Sequence, residues 1–197
     1  MKIFKSKNYN LNVILFYCLS SILIFIYIPI FEESIFFKSL DFQWSPAKLV
    51  FEKINHYEYM LEGNREKIIG SQFGENLHGF YILLYPFTLL SWEIAKIAWF
   101  VLNFFLIFYI PFVLCKKFEV GNTETILIIF FFMLSNVTKA HMVIGQQSVL
   151  ILLFLCLPFI NNSRISSILS GISYLKYSLS YALFVNFLVE KKYKNFF

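Results

Sequence analysis

Charge is scarce in this chain. Charged residues make up 15% of its 197 residues, where a soluble domain carries roughly 25%. With 58% of the residues hydrophobic, too little polar surface would remain to cover a soluble core. Aspartate occurs once, at Asp41, and the other eleven acids are glutamate. Cysteine occurs three times, at Cys18, Cys115 and Cys156, each within or beside an apolar run. An odd, scattered set excludes a disulfide framework and a cysteine metal site, and leaves these residues to packing. No Gly-rich phosphate loop, Cys-x-x-Cys pair or His-Glu-x-x-His sequence is present, so we expect neither a metal nor a cofactor.

What fills the chain is apolar sequence, including 26 phenylalanines that suit lipid-facing helices. Crossing a bilayer takes about 20 such residues in a helix, and Leu11 to Phe31 meets that length. The uncharged stretch around it, Asn8 to Phe31, is longer than the core of a cleaved signal. No small-x-small site precedes Glu32. We therefore expect an uncleaved anchor.

The net charge of +5 lies in short clusters between apolar runs. Lys2, Lys5 and Lys7 open the chain, Lys116 and Lys117 form a pair, and Lys191, Lys192 and Lys194 lie near the end. Such a distribution marks cytoplasmic loops rather than a nucleic-acid surface. Between Glu32 and His78, eight acids meet five bases for a net charge of −3, as expected of a loop on the opposite face. Within it, Ser45 to Glu58 reads as an amphipathic helix on the membrane surface, opened by Ser45-Pro46.

Beyond the loop, Gly79 to Trp92 is short, contains Pro86 and reads as a half-helix ending at the cap Ser91. Ile94 to Cys115 then runs inward to the lysine pair, with Lys96 as an interface anchor. Thr125 to Thr138 goes out and Val143 to Pro158 returns. Lys139, His141, Gln146 and Gln147 mark the external turn between them, with Lys139 a second interface anchor, and Arg164 marks the next inner turn. Ile165 to Val189 is interrupted at Lys176 and reads as two half-spans. The count of full crossings lies between four and seven. The fold class is all-α, a polytopic transmembrane bundle whose external loop carries short interfacial helices.

Ionisable groups at membrane depth point to function. Asp41, within Leu40-Asp41-Phe42-Gln43-Trp44, suits a general base on an acceptor hydroxyl, or equally a cap or turn. Lys176 suits a phosphate partner, or a side chain that snorkels to the interface. Gln146 and Gln147 suit hydrogen bonds to a sugar or phosphate, or a helix cap. His141 has no partner at metal-ligand spacing and reads as structural; its place in the external turn keeps it among the candidate substrate-binding residues.

Several of these pieces, in order, resemble glycosyltransferase family 87, the polyprenol-phosphate-dependent enzymes of the GT-C class. Asp41-Phe42-Gln43-Trp44 is similar to the family's external Asp-Phe-aromatic start. Asn55-His56-Tyr57 matches an Asn-Pro-Tyr helix end, with His56 for the usual Pro and Lys53 for the usual Gly. Tyr85-Pro86 through Leu89-Leu90-Ser91-Trp92-Glu93, Gly145-Gln146, and Ser170-Gly171 through Lys176 resemble later motifs. The Pro that follows the lysine in the family pattern is absent here.

The resemblance implies a GT-C-like fold of which 1–197 is one membrane domain and the N-terminal half. Residues 1–31 would form the first span, 32–78 the external loop, and 79–197 the remaining helices and half-helices. It implies a catalytic base at Asp41, substrate contacts at Trp44, Tyr57, His141, Gln146, Gln147 and Lys176, and a hexose, often mannose, carried on a polyprenyl phosphate. The implied partners are that donor, membrane lipids and a C-terminal half, with no nucleic acid. The implied place is a bacterial inner membrane with the N-terminus cytoplasmic. The other reading is a non-enzymatic membrane protein: transporter-like, an assembly subunit or an inactive relative.

Overall fold

The computed structural model describes residues 3–36, 43–64, 66–69, 78–161 and 163–176. Asp41 lies outside the described residues, as does everything beyond Lys176. Among the described residues every regular element is helical. The helices are α1 (Ile3–Phe36), α2 (Trp44–Phe51), α3 (His56–Leu61), α4 (His78–Thr88) and α5 (Trp92–Lys117). Then come α6 (Asn122–Leu134), α7 (Asn136–Ile144), α8 (Ser148–Ile160), α9 (Arg164–Gly171) and a 3-10 turn, Ile172–Lys176.

Two helices are long and apolar enough to cross a membrane, over Asn12–Glu32 and Trp92–Lys117. Their positions differ in kind. Only 11% of the first span is buried inside the protein, against 39% of the second. Thus α5 is the central post and α1 a peripheral one. Phe25 at 80% exposure and Phe131 at 65% would be a liability in water. Facing acyl chains they cost nothing. The chain is an integral membrane protein.

Two cores flank α5. One gathers Tyr27, Phe100, Ile107, Met133 and Met142, with Val149 from α8. The other joins Trp44 and Ala47 of α2 to Phe80, Tyr81 and Leu84 of α4, with Trp99 and Ile151. Where α1 meets the first core, the Tyr27 hydroxyl donates to the Met133 carbonyl at 2.8 Å. That carbonyl lies in the last turn of α6, just before a 56° bend between α6 and α7. At the bend the Ser135 hydroxyl accepts from the Thr138 amide at 3.1 Å, capping α7.

Two expectations need correction. The loop helix is not one helix from Ser45 to Glu58 but two, α2 and α3. The first of these buries Trp44, Ser45, Pro46, Ala47 and Leu49 where it packs against α4. The stretch from Lys139 to His141 is not a turn either; it belongs to α7, and the turn is confined to Gly145–Gln147.

The break after α2 has a local cause. The amide of Ile54 donates to Leu49 O at 2.9 Å, and that of Lys53 to Val50 O at 3.0 Å. This is a Schellman stop, which needs a left-handed residue. Lys53 holds that conformation at φ 61. The same bond pattern ends α3 at Gly63 (φ 78) and α5 at Glu119 (φ 55), so only one of these three stops has the favoured glycine. A left-handed non-glycine residue costs about 1–2 kcal/mol, and glycine gives back about 0.4–1 kcal/mol through the unfolded chain. Lys53→Gly should therefore stabilise the protein by a few tenths to about 1 kcal/mol. Thermal unfolding in detergent reads this directly, and a lower midpoint would contradict it.

The loop is further tied by Lys67, whose ammonium sits 2.9 Å from the Glu52 carboxylate. That hydrogen bond, and then the Glu52 charge, hold Lys67 above its ordinary 10.5. The lysine therefore stays charged at neutral pH.

Candidate functional site

The first described residue after α1 is already unusual. Gln43 caps α2 in the left-handed region (φ 62, ψ 25) and is only 2% exposed. A strained, buried residue two positions past Asp41 is the kind of feature that collects at functional sites. Nothing in the sequence signals it.

From Gln43 a chain of rings runs inward. The Trp44 indole N–H donates to the Phe87 carbonyl at 2.9 Å, and its ring lies 5.6 Å from that of Trp92. Phe87 meets Trp99 edge-on at 5.2 Å. The Trp99 indole N–H then donates to the Gly145 carbonyl at 2.7 Å. The segment following Asp41 is thus fastened, through α4 and α5, to the turn that carries Gln146 and Gln147. Trp44 serves here as an anchor, since its one polar atom is engaged by the backbone of α4.

That turn is built by glycine. Gly145 ends α7 at φ 71, a conformation open to glycine without penalty. The amides of Gly145 and Gln146 both donate to the His141 carbonyl, at 2.9 and 3.2 Å. His141 thus contributes its backbone to the turn, and its ring is half-buried. Gln147 is 2% exposed and its carbonyl accepts the first bond of α8, from Ile151 at 3.1 Å. Gln146 is half-buried, and its side-chain oxygen accepts from the Ser148 hydroxyl at 3.5 Å.

Lys176 approaches the same turn by a count of rises. The 13 residues of α8 climb away from Gln147 by about 20 Å. The 8 residues of α9 and the 5 of the 3-10 turn return by about 22 Å. Both pack along α8, and the 3-10 turn also reaches α4. The backbone at Lys176 therefore returns to the level where α8 begins.

On the loop side, α3 carries Tyr57, 39% exposed, with its ring 3.8 Å from that of His56. Asn55 caps this helix by accepting from the Tyr57 amide at 3.2 Å. His56 thus takes the first helical position, where Pro is also at home because its amide has no helical partner. The departure from Asn-Pro-Tyr changes a side chain and spares the backbone. The new imidazole is fully buried, with Nε2 at 3.3 Å from the Tyr81 hydroxyl.

Sequence reasoning missed Trp99 and Asn103 on α5, and it gave Lys96 only the role of an interface anchor. Lys96 is 9% exposed, and its ammonium reaches Glu93 at 2.6 Å. It also stands 5.4 Å over the Trp92 ring. Asn103 is 3% exposed and donates to Trp99 O at 2.9 Å, while its Oδ1 is buried and accepts no hydrogen bond among the described residues. Trp99 itself carries the link to Gly145. The only signal for these three was their spacing, Lys96, Trp99 and Asn103 falling on one helical face.

The aromatic brace ties the residues that follow Asp41 to the Gly145–Gln147 turn, and the backbone at Lys176 returns to the level of that turn. Among the described residues no three His, Cys, Asp or Glu side chains gather as a metal set would. No curated protein and no solved structure matches the chain. The model of glycosyltransferase family 87 matches residues 79–197, from the start of α4 onward and over more than half of the sequence. The brace and the turn both lie within or against that matched region, and the chain belongs to glycosyltransferase family 87, a family of membrane glycosyltransferases.

Proposed function

We propose that the protein, alone or as the N-terminal part of a longer enzyme, transfers a hexose from a polyprenyl-phosphate donor to an acceptor on the non-cytoplasmic face. The sugar that fits the family resemblance is mannose. Asp41 takes the proton of the acceptor hydroxyl, whose oxygen forms the new bond to the anomeric carbon from the side opposite the phosphate. The bond from that carbon to the phosphate oxygen breaks, and the polyprenyl phosphate leaves with the electron pair. Lys176 offsets the charge that develops there, and the Gln146–Gln147 turn hydrogen-bonds the sugar or phosphate. Tyr57 borders the acceptor side. One observation carries this reading beyond the family match: the Trp44–Phe87–Trp99–Gly145 brace, which fastens the loop following Asp41 to the Gln146–Gln147 turn.

The test is a transfer assay in reconstituted membranes, in the full-length context, with labelled mannosyl polyprenyl phosphate beside a nucleotide-linked mannose. Transfer from the lipid-linked sugar alone is the expected result. Use of the nucleotide sugar, or of neither, refutes the donor assignment.

The orientation that goes with it places the N-terminus in the cytoplasm of a bacterial cell, in the inner membrane. Single cysteines at Asn64 and Asn122, both exposed, test this in a background with Cys18 replaced. An impermeant thiol reagent should label the first in intact cells and the second only after lysis. The reverse pattern overturns the orientation.

A further inference from the structure

At the lysine-bearing end of α5, away from the candidate site, α1 stands off from the bundle and leaves a cleft of about 240 Å³. Two attachments keep it there. Above the cleft, Tyr27 bonds Met133 O at 2.8 Å and meets the Phe104 ring at 5.4 Å. Below it, the Thr123 hydroxyl donates to Asn12 Oδ1 at 2.7 Å. Between these pins the walls are apolar, with Phe16 and Leu23 from α1, Phe108 and Phe112 from α5, and Ile129 from α6.

Apart from Ser20 on α1, the polar lining residues gather at one end. They are Lys116, Asn122 and Thr125, and each makes a hydrogen bond within the protein. The Thr125 hydroxyl donates to Gly121 O at 2.8 Å, and Asn122 Oδ1 accepts from the Lys116 ammonium at 3.4 Å. The ammonium lies 5.9 Å over the Phe112 ring and makes no ion pair among the described residues. The nearby Glu124 carboxylate turns back over Gly121 instead.

An apolar slot offers water no partners, and an unpaired cation at its mouth asks for an anion. An acyl chain beneath a phosphate supplies both. We propose that this cleft is a binding site for an anionic phospholipid, one acyl chain lying between α1, α5 and α6 and the headgroup phosphate pairing with Lys116. Basic pockets between membrane helices hold anionic headgroups in this manner. The lipid fills the space that the two pins hold open, and so completes the packing of α1. The site is independent of sugar transfer and stands or falls without it.

Native mass spectrometry of the full-length protein tests it, after delipidation and return of phosphatidylglycerol or phosphatidylcholine of matched chains. Phosphatidylglycerol should be retained about fivefold better, the factor expected of one lysine at a lipid surface. Lys116→Gln should abolish the preference while leaving retention of phosphatidylcholine unchanged. Ser20→Phe, at a small residue lining the cleft, should remove bound lipid of either kind. Equal retention of the two lipids by the unaltered protein overturns the site, and so does a preference that survives Lys116→Gln. Displacement of phosphatidylglycerol one for one by a polyprenyl phosphate overturns it too, because the cleft would then hold the donor's tail. Lys116 is exposed, so its variant decides the matter even if Ser20→Phe fails to fold.

Discussion

Asp41→Asn is expected to lower sugar transfer by about a hundredfold to ten-thousandfold, the range of general-base catalysis, with membrane insertion and thermal stability unchanged. An amide of the same shape can still hydrogen-bond the acceptor hydroxyl, so acceptor binding should persist, but it cannot take the proton. The loss should therefore fall on kcat more than on KM. Asp41 is the sole aspartate of the chain. Glu33, eight positions earlier, is the natural comparison, and Glu33→Gln should keep most of the activity. Transfer within about threefold of the unaltered protein in Asp41→Asn would remove the residue from the mechanism.

The second large effect belongs to Trp99. Its ring is 1% exposed, and its N–H bonds a carbonyl with a buried 2.7 Å contact, so losing the donor leaves a buried acceptor unsatisfied. Trp99→Ala should destabilise the protein by about 3–5 kcal/mol, as removal of a buried tryptophan does. Trp99→Phe keeps most of the ring and deletes the donor, and should cost about 1–3 kcal/mol. The diagnostic result is in activity. Because the bond fixes the backbone next to Gln146, Trp99→Phe should raise KM for the lipid donor at a temperature where the variant is still folded. Trp92, half-buried on the same helix, is the control, and its Phe variant should change stability little. Effects of Trp99→Phe and Trp99→Ala both within about 0.5 kcal/mol would mean that the brace carries no load.

The membrane helices were legible in the sequence, and for a plain reason. A span must be continuous, apolar and about 20 residues long, and α1 and α5 satisfy this with lysines, Ser91 and Trp92 marking their ends. A short helix ahead of α5 was legible from the length of the apolar run, and α4 has 11 residues. Where the reading went astray, the decisive interaction was not local. Lys139 and His141 looked like turn residues by polarity, yet Thr138 and Met142 bury one face of α7, and burial outweighs a polar opposite face. The loop helix looked continuous because a lysine is an ordinary helix former, and nothing in its identity announces φ 61. Trp99 reads as one more aromatic until Gly145, 46 positions later, is brought to its indole nitrogen. The candidate residues themselves were proposed from type and order. Their fastening was not, because hydrogen bonds from indole nitrogens to distant carbonyls leave no pattern along the chain.

The bond from Tyr27 to the Met133 carbonyl bears on biogenesis. A carbonyl beside a bent helix needs a donor before the surrounding lipid can be its solvent, and here the donor sits more than a hundred residues upstream. Chain order ensures that α1 is already in the membrane when the later hairpin leaves the translocon. We therefore expect the first helix to assist insertion of the sixth, and Tyr27→Phe should lower the yield of newly made protein, as read by pulse-chase of the membrane fraction, more than it alters the folded protein.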